Sequence, residues 1–343
     1  MKSAIRFFLL AAALSLPGAL SLSTRGGAAS AQSRGRAQQP QPPARNAPTP
    51  ADADERPIDV NVRIVRLPVT VLDKKDQPVS GLTAADFAVF EDKQPQQING
   101  FIDEKTGVPV HVAVLLDISG STAGKLEFAK TAAKDFIYTA VRVRRDQGAF
   151  GIFDNELNLI QDFTDKHDLL DKAIDTVKKP GRDTALWDAI WLMCDEKMRG
   201  VAGRRVIVVI TDGDDTASRA TLKEAIEMAQ ATETTVFAIS TKAGLSGVVP
   251  GVEMGTPKDS GDRELDRLSG ETGGKAFFIG DRINLERAFS RVAKELRSQY
   301  VITYRPAREF DDTDRRIEVK LTANRDGLKV RTRRGYRAAR AVK

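Results

Sequence analysis

The sequence predicts an α/β fold: a doubly wound, mostly parallel sheet with helices on both faces, joined by a small β-rich module drawn from the segments on either side. Three observations predict it. Between residues 108 and 299, short apolar runs rich in β-branched residues alternate with stretches whose apolar residues recur at helical spacing. The runs are apolar at nearly every position, as expected of parallel strands buried on both faces. In the flanks, at 58–104 and 300–338, the rhythm changes to short strands.

Residues 1–31 read as a secretory leader. Lys2 and Arg6 precede an apolar stretch at 7–16, and Ala29-Ser30-Ala31 offers a cleavage site before Gln32. The short apolar stretch, interrupted by Pro17 and Gly18, favours removal over retention as a membrane anchor. No later stretch is long and apolar enough to span a bilayer, so the mature chain is expected to be exported, periplasmic or extracellular, without an integral span. Residues 32–57 are Pro, Ala, Gln and Arg with almost no large apolar side chain, too little to offset the entropy of ordering, and predict a disordered tether.

At 58–104, Val60, Val62 and Ile64, then Leu67, Val69 and Val71, predict strands, with turns at 73–76 and at Ser80-Gly81 before a further strand over 87–90. A module of fewer than about 50 residues is marginal alone. The strands expected at 300–304, 316–322 and 328–332 are candidates to complete it as one sandwich.

Inside the α/β region, strands are expected at 110–116, 148–153, 206–211, 236–240 and 276–279, with 157–163 returning as an antiparallel edge after the turn at Asp154-Asn155-Glu156. Helical stripes are written by Leu126, Ala129, Ala133, Phe136, Ile137 and Ala140, by Leu186, Ile190, Met193 and Cys194, and by Leu222, Ala225, Ile226 and Ala229. Leu265 and Leu268 mark a short helix, and Leu285, Ala288, Phe289, Val292 and Leu296 a last one. A Gly-rich excursion at 243–262 is long for an ordered connection.

Composition narrows the function. The only cysteine, Cys194, excludes a disulfide framework and reads as core filling. Formal charge is +6, and loss of Lys2, Arg6 and Arg25 with the leader leaves +3, too little to imply nucleic acid. The basic residues from Lys329 to Lys343 alternate with Leu328, Val330 and Thr332, the pattern of a strand with one solvated face.

In an open parallel sheet, ligands bind beyond the carboxyl ends of the strands. Directly after the strand at 110–116 comes Asp117-Ile118-Ser119-Gly120-Ser121, and directly after 206–211 comes Asp212-Gly213; between them Thr184 opens a helix. Two carboxylates and three hydroxyls on three loops suit a small hard cation. Magnesium takes six oxygens, keeps several waters, and is bound through one or two carboxylates. Ser119, Ser121 and Thr184 are candidates for direct ligation, with Asp117 and Asp212 holding coordinated waters. One position then stays open for an acidic oxygen from a partner.

These residues carry a resemblance. Asp117-Ile118-Ser119-Gly120-Ser121 is similar to the DxSxS motif of von Willebrand factor type A domains, Thr184 resembles their separate threonine, and Thr211-Asp212-Gly213 their final aspartate loop. In that family the three motifs make a metal-ion-dependent adhesion site (MIDAS), which implies a non-catalytic adhesion or scaffolding role, a bound Mg2+, Mn2+ or Ca2+, and a protein partner that supplies a carboxylate. The flanks, including the segments at 86–92 and 300–304, resemble a group of secreted bacterial proteins typified by acidobacterial sequences. One departure is Arg182-Asp183, where small residues usually precede the threonine; Asp183 is expected to face solvent.

A rival reading starts from Asp212-Gly213-Asp214-Asp215-Thr216, which fits the DxDxT pattern of haloacid-dehalogenase-like phosphatases, where an aspartate attacks phosphorus. That pattern normally sits on the first strand, and it leaves Ser119, Ser121 and Thr184 unexplained. A serine hydrolase lacks its GxSxG elbow, and His111, in a strand, and His167, in a polar loop, have no matching acid and nucleophile. With Cys194 they show no zinc spacing either.

Overall fold

The computed structural model describes residues 63–103, 105–178, 181–242, 259–279, 282–323 and 327–340. All of them lie in one compact unit, Val62–Lys343. The expected leader at 1–31 and tether at 32–57 lie outside the described residues, as do Val60, Val62 and most of the excursion at 243–262.

The chain enters with four strands, β1 (Val65–Leu72), β2 (Phe87–Glu91), β3 (Gln94–Gln96) and β4 (Ile98–Ile102). The α/β region follows as β5 (Val110–Asp117), α1 (Leu126–Ala140), β6 (Gln147–Phe153), β7 (Leu157–Thr164), α2 (His167–Asp175), α3 (Leu186–Leu192) and β8 (Arg204–Thr211). It continues with α4 (Leu222–Ala231), β9 (Thr234–Ser240), α5 (Ser260–Thr272), β10 (Ala276–Phe278) and α6 (Arg282–Ser298). The chain closes with β11 (Tyr300–Tyr304), β12 (Asp314–Leu321), β13 (Lys329–Arg331) and β14 (Gly335–Arg337).

Six strands form the central sheet in the order β10-β9-β8-β5-β6-β7, all parallel except β7, which runs antiparallel at the edge. Alternate side chains of a strand face opposite ways, and β5 uses both. Val112, Val114 and Leu116 pack with α1, α2 and α6 on one face, while Ala113 and Leu115 pack with α3, α4 and α5 on the other. This two-sided burial is why the strands read as unbroken apolar runs. From β5 the chain crosses to β6, but from β8 it crosses to β9 on the other side. The sheet's switch point therefore lies between β5 and β8, where diverging connections leave a crevice.

The flanking strands make two further four-stranded sheets, β13-β1-β11-β4 and β14-β12-β2-β3, each mixing strands from before and after the α/β region. Leu67, Val69, Phe87, Val89, Tyr300, Ile302, Ile317 and Tyr336 form their shared core. Among the described residues, no helix is long and apolar enough to cross a membrane.

Three local expectations change. His167 is not in a loop: it opens α2, where its Nε2 lies 2.7 Å from the Val141 carbonyl oxygen and its ring packs on Tyr138. That helix is short and buries only Leu170, Ala173 and Ile174, a single repeat of the helical stripe. Ile64 is exposed, since the strand begins at Val65. The end of the supposed excursion is helical, because Asp259 caps α5 by accepting the Asp262 N–H at 3.0 Å.

Candidate functional site

Each of the three loops singled out from sequence is held by its own short-range logic. After β5 the chain makes a tight 3-10 turn (Gly120–Lys125), in which the Thr122 hydroxyl donates to the carbonyls of Asp117 and Ser119. The Ser119 N–H donates to Asp117 Oδ1 at 2.8 Å, and the hydroxyls of Ser119 and Ser121 stand 3.2 Å apart. The DxSxS spacing thus curls two hydroxyls beside one carboxylate.

The second loop lies against the first. The Gly181 N–H donates to the Ile118 carbonyl at 2.6 Å, and the Gly120 N–H reaches the Arg182 carbonyl at 3.5 Å. Gly181 passes so close to Asp154 that a Cβ there would come within 2.2 Å of the carboxylate. Beyond it, the Ala185 N–H donates to the Asp154 carbonyl, which fixes Thr184 relative to the end of β6. Asp183 is exposed, facing solvent as expected.

The third loop binds both others. The Thr211 hydroxyl donates to Asp117 Oδ2 at 2.6 Å and accepts from the Gly213 N–H at 3.0 Å. Thr216 Oγ1 accepts the Thr184 N–H, while the N–H groups of Thr216 and Ala217 donate to the Thr184 carbonyl. Asp215 Oδ1 accepts from the Leu186 N–H at 2.8 Å and the Ser218 hydroxyl at 2.5 Å, capping α3.

Asp117, Ser119, Ser121, Thr184 and Asp212 therefore sit on three mutually hydrogen-bonded loops at the switch point. Sequence reasoning did not assign the residues that tie the loops together: Thr211, Asp215, Thr216 and Ser218. Their signal was the density of Asp, Ser and Thr after β8, which local side-chain to backbone bonding favours.

Electrostatics gives the site its chemical character. Asp117 and Asp212 are 2% and 6% exposed, and among the described residues no lysine or arginine pairs with either. Burial pushes the Asp117 carboxyl up to about 6, and the neighbouring Asp212 charge adds to the effect. Two acids buried side by side without a counter-charge are costly. Ser119, next to Asp117, and Thr184 on the second loop are buried at 1% and 3% exposure, whereas Ser121 reaches the surface. Among the described residues, no group of three or more His, Cys, Asp or Glu is placed to hold a metal ion. The donor set is thus two acids with hydroxyls, which fits a hard, oxygen-seeking divalent cation and not a soft one.

The residues of the rival pattern are engaged otherwise. Asp214 Oδ1 lies 2.5 Å from Lys242 Nζ, and Asp215 and Thr216 serve the loop contacts just described.

A family model of the von Willebrand factor type A domain matches residues 111–291. A search of curated proteins finds no match. Among solved structures, a von Willebrand factor type A protein from Catenulispora acidiphila aligns with TM-score 0.43 and 11% identity over 82% of this chain and 77% of its own. An aerotolerance-related membrane protein from Bacteroides fragilis aligns with TM-score 0.43 and 19% identity over 55% of this chain and 98% of its own. Proximal thread matrix protein 1 from the mussel byssus, in a structure with a zinc-occupied MIDAS motif, aligns with TM-score 0.46 and 16% identity over 60% of this chain. The chain spans about half of that mussel protein, 49%.

Proposed function

The chain belongs to the von Willebrand factor type A domain family, and on that premise we propose that it is an exported, non-catalytic binding protein that captures an acidic group of a protein partner through a divalent cation. One observation supports the reading: two buried carboxylates, Asp117 and Asp212, have no cationic partner among the described residues and sit on interlocked loops that also carry Ser119, Ser121 and Thr184.

Ser119, Ser121 and Thr184 would hold the ion by their hydroxyls, and Asp117 and Asp212 would balance its charge. When bound, such a cation supplies an electrophilic position for a carboxylate oxygen. Magnesium is the first candidate, with Mn2+ and Ca2+ the other hard cations of suitable chemistry. The exposed Ser121 and Asp183 mark the side from which a partner approaches. An adhesion or scaffolding role in the periplasm or outside the cell follows from this capture and from the leader at 1–31.

The test is calorimetric titration of the chelator-stripped chain with Mg2+ and Mn2+, followed by pull-down from the source organism's envelope with and without chelator. Wild type should bind one ion and retain a partner only in its presence, and Asp117→Ala should do neither while remaining folded by circular dichroism. Partner retention that survives chelator, or phosphate-ester turnover dependent on Asp212 and Asp214, would overturn the reading.

A further inference from the structure

Lys242 lies just past the end of β9, and its ammonium joins two acids. It stands 2.5 Å from Asp214 Oδ1 and 2.7 Å from Asp259 Oδ2. Asp214 belongs to the third loop of the site, two residues beyond Asp212, and its backbone N–H lies 3.5 Å from Asp212 Oδ1. Asp259 belongs elsewhere, as the cap of α5. One ammonium thus draws a carboxylate of the candidate site towards the start of a helix.

The helix start is itself firmly seated against that loop. Gly213 takes a left-handed φ of 84°, and a Cβ on Gly261 would come within 2.4 Å of the Gly213 carbonyl oxygen. The Ser240 hydroxyl donates to the buried Asp262 at 2.7 Å, fixing the first turn of α5 to the end of β9. The Thr241 N–H donates to the Thr211 carbonyl at 2.8 Å, and Lys125 Nζ donates to the Thr241 carbonyl. Lys242 therefore rises from a backbone pinned to both the first and the third loop. Asp214 is about half exposed, at 49%, and among the described residues Lys242 is the cation that pairs with its carboxylate.

Resting on the metal-site reading above, we propose that Lys242 is a positioning residue that holds the Asp214 carboxylate on the α5 side, leaving the cation with the acids of Asp117 and Asp212 alone. Each further anionic donor lowers the attraction of a divalent ion for an incoming carboxylate. Releasing Asp214 would therefore tighten the hold on the ion and weaken the capture of a partner's acid.

The experiment is calorimetric titration of the chelator-stripped full chain with Mn2+, comparing wild type with a small set of variants. Lys242→Met should bind Mn2+ roughly three- to tenfold tighter. Adding Asp214→Asn to that variant should abolish the gain, whereas adding Asp259→Asn, which keeps a good helix cap, should not. Lys242→Arg should behave as wild type. Asp214→Asn alone, with Lys242 intact, should stay within about twofold of wild type, since an exposed ion pair contributes little by itself. Unchanged or weaker binding by Lys242→Met overturns the proposal, and so does equal loss of the gain with Asp214→Asn and with Asp259→Asn, which would make it an effect of net charge. Thermal unfolding in chelator reports whether each variant is folded; if Lys242→Met is not, a change beyond about twofold in Asp214→Asn alone overturns the proposal. A wild type that binds no Mn2+, or an Asp117→Ala variant that binds it as well, defeats the site reading and this proposal together.

Discussion

Thr211 Oγ1, the last side chain of β8, donates a 2.6 Å hydrogen bond to Oδ2 of Asp117, the last residue of the neighbouring β5. The bond crosses the switch point and joins two loops that are 94 residues apart in sequence. It also serves one oxygen of a buried acid whose other oxygen is served by the Ser119 N–H. Replacing Thr211 by Val keeps the branched shape but strands that oxygen, and a buried acceptor left unpaired costs about 1–3 kcal/mol. Urea denaturation of the metal-free chain should show a loss of that order for Thr211→Val and near-recovery for Thr211→Ser. Equal stability of Thr211→Val and wild type would mean the bond contributes nothing.

Asp215 joins the loop carrying Asp212 to the helix behind Thr184, through the Leu186 N–H and the Ser218 hydroxyl. Asp215→Ala should destabilise the chain by about 1–2 kcal/mol, as expected for loss of a helix cap. It should also weaken cation binding although it removes no proposed ligand. Chemical denaturation and calorimetry on the same preparation separate the two effects; full affinity in the variant would show that Thr184 holds its place unaided.

Glu91 is the polar centre of the sandwich. Its Oε1 accepts from Arg315 Nη1 at 2.9 Å, and its Oε2 accepts from the hydroxyls of Tyr304 at 2.7 Å and Tyr336 at 2.9 Å. Both Glu91 and Arg315 are almost fully buried. Glu91→Ala strands a buried guanidinium and two hydroxyls, and breaking one side of such a pair costs about 3–5 kcal/mol. Glu91→Ala combined with Arg315→Met should be less damaging than Glu91→Ala alone. Guanidinium melts of the two variants decide it, and a more stable single variant would contradict the coupling.

Cys194 is fully buried in the helical turn Met193–Met198 that continues α3, and burial pushes its thiol up to about 12 from an ordinary 9.0. The folded state holds the proton more tightly than the unfolded state. The contribution to stability is therefore complete below about pH 9 and is lost as pH rises towards 12. A disulfide reagent at pH 8 should label no thiol in the native chain and one in denaturant. Rapid labelling without denaturant would show that α3 opens readily.

The apolar run of β5 and the acids and hydroxyls that follow it are consecutive in the chain, so strand and loop could be read together. The helix α2 could not, because nine residues with three buried positions give too little periodicity to stand out. The three-residue β14 was invisible for the same reason, although Tyr336 within it reaches Glu91. Thr211 stands beside Asp212 in the sequence, but its bond to Asp117 depends on β5 and β8 being neighbours, which no local pattern states.

The alternation of buried strands with one-faced helices, and the oxygen-bearing residues at three strand or helix junctions, are properties of consecutive side chains and so are written in the order of residues. That β5 lies beside β8, that strands from both ends of the chain share two sheets, and that Lys242 joins Asp214 to Asp259 emerge from the folded arrangement. Such pairings are selected by packing and charge complementarity between segments far apart in the chain, and that complementarity exists only once the segments have met.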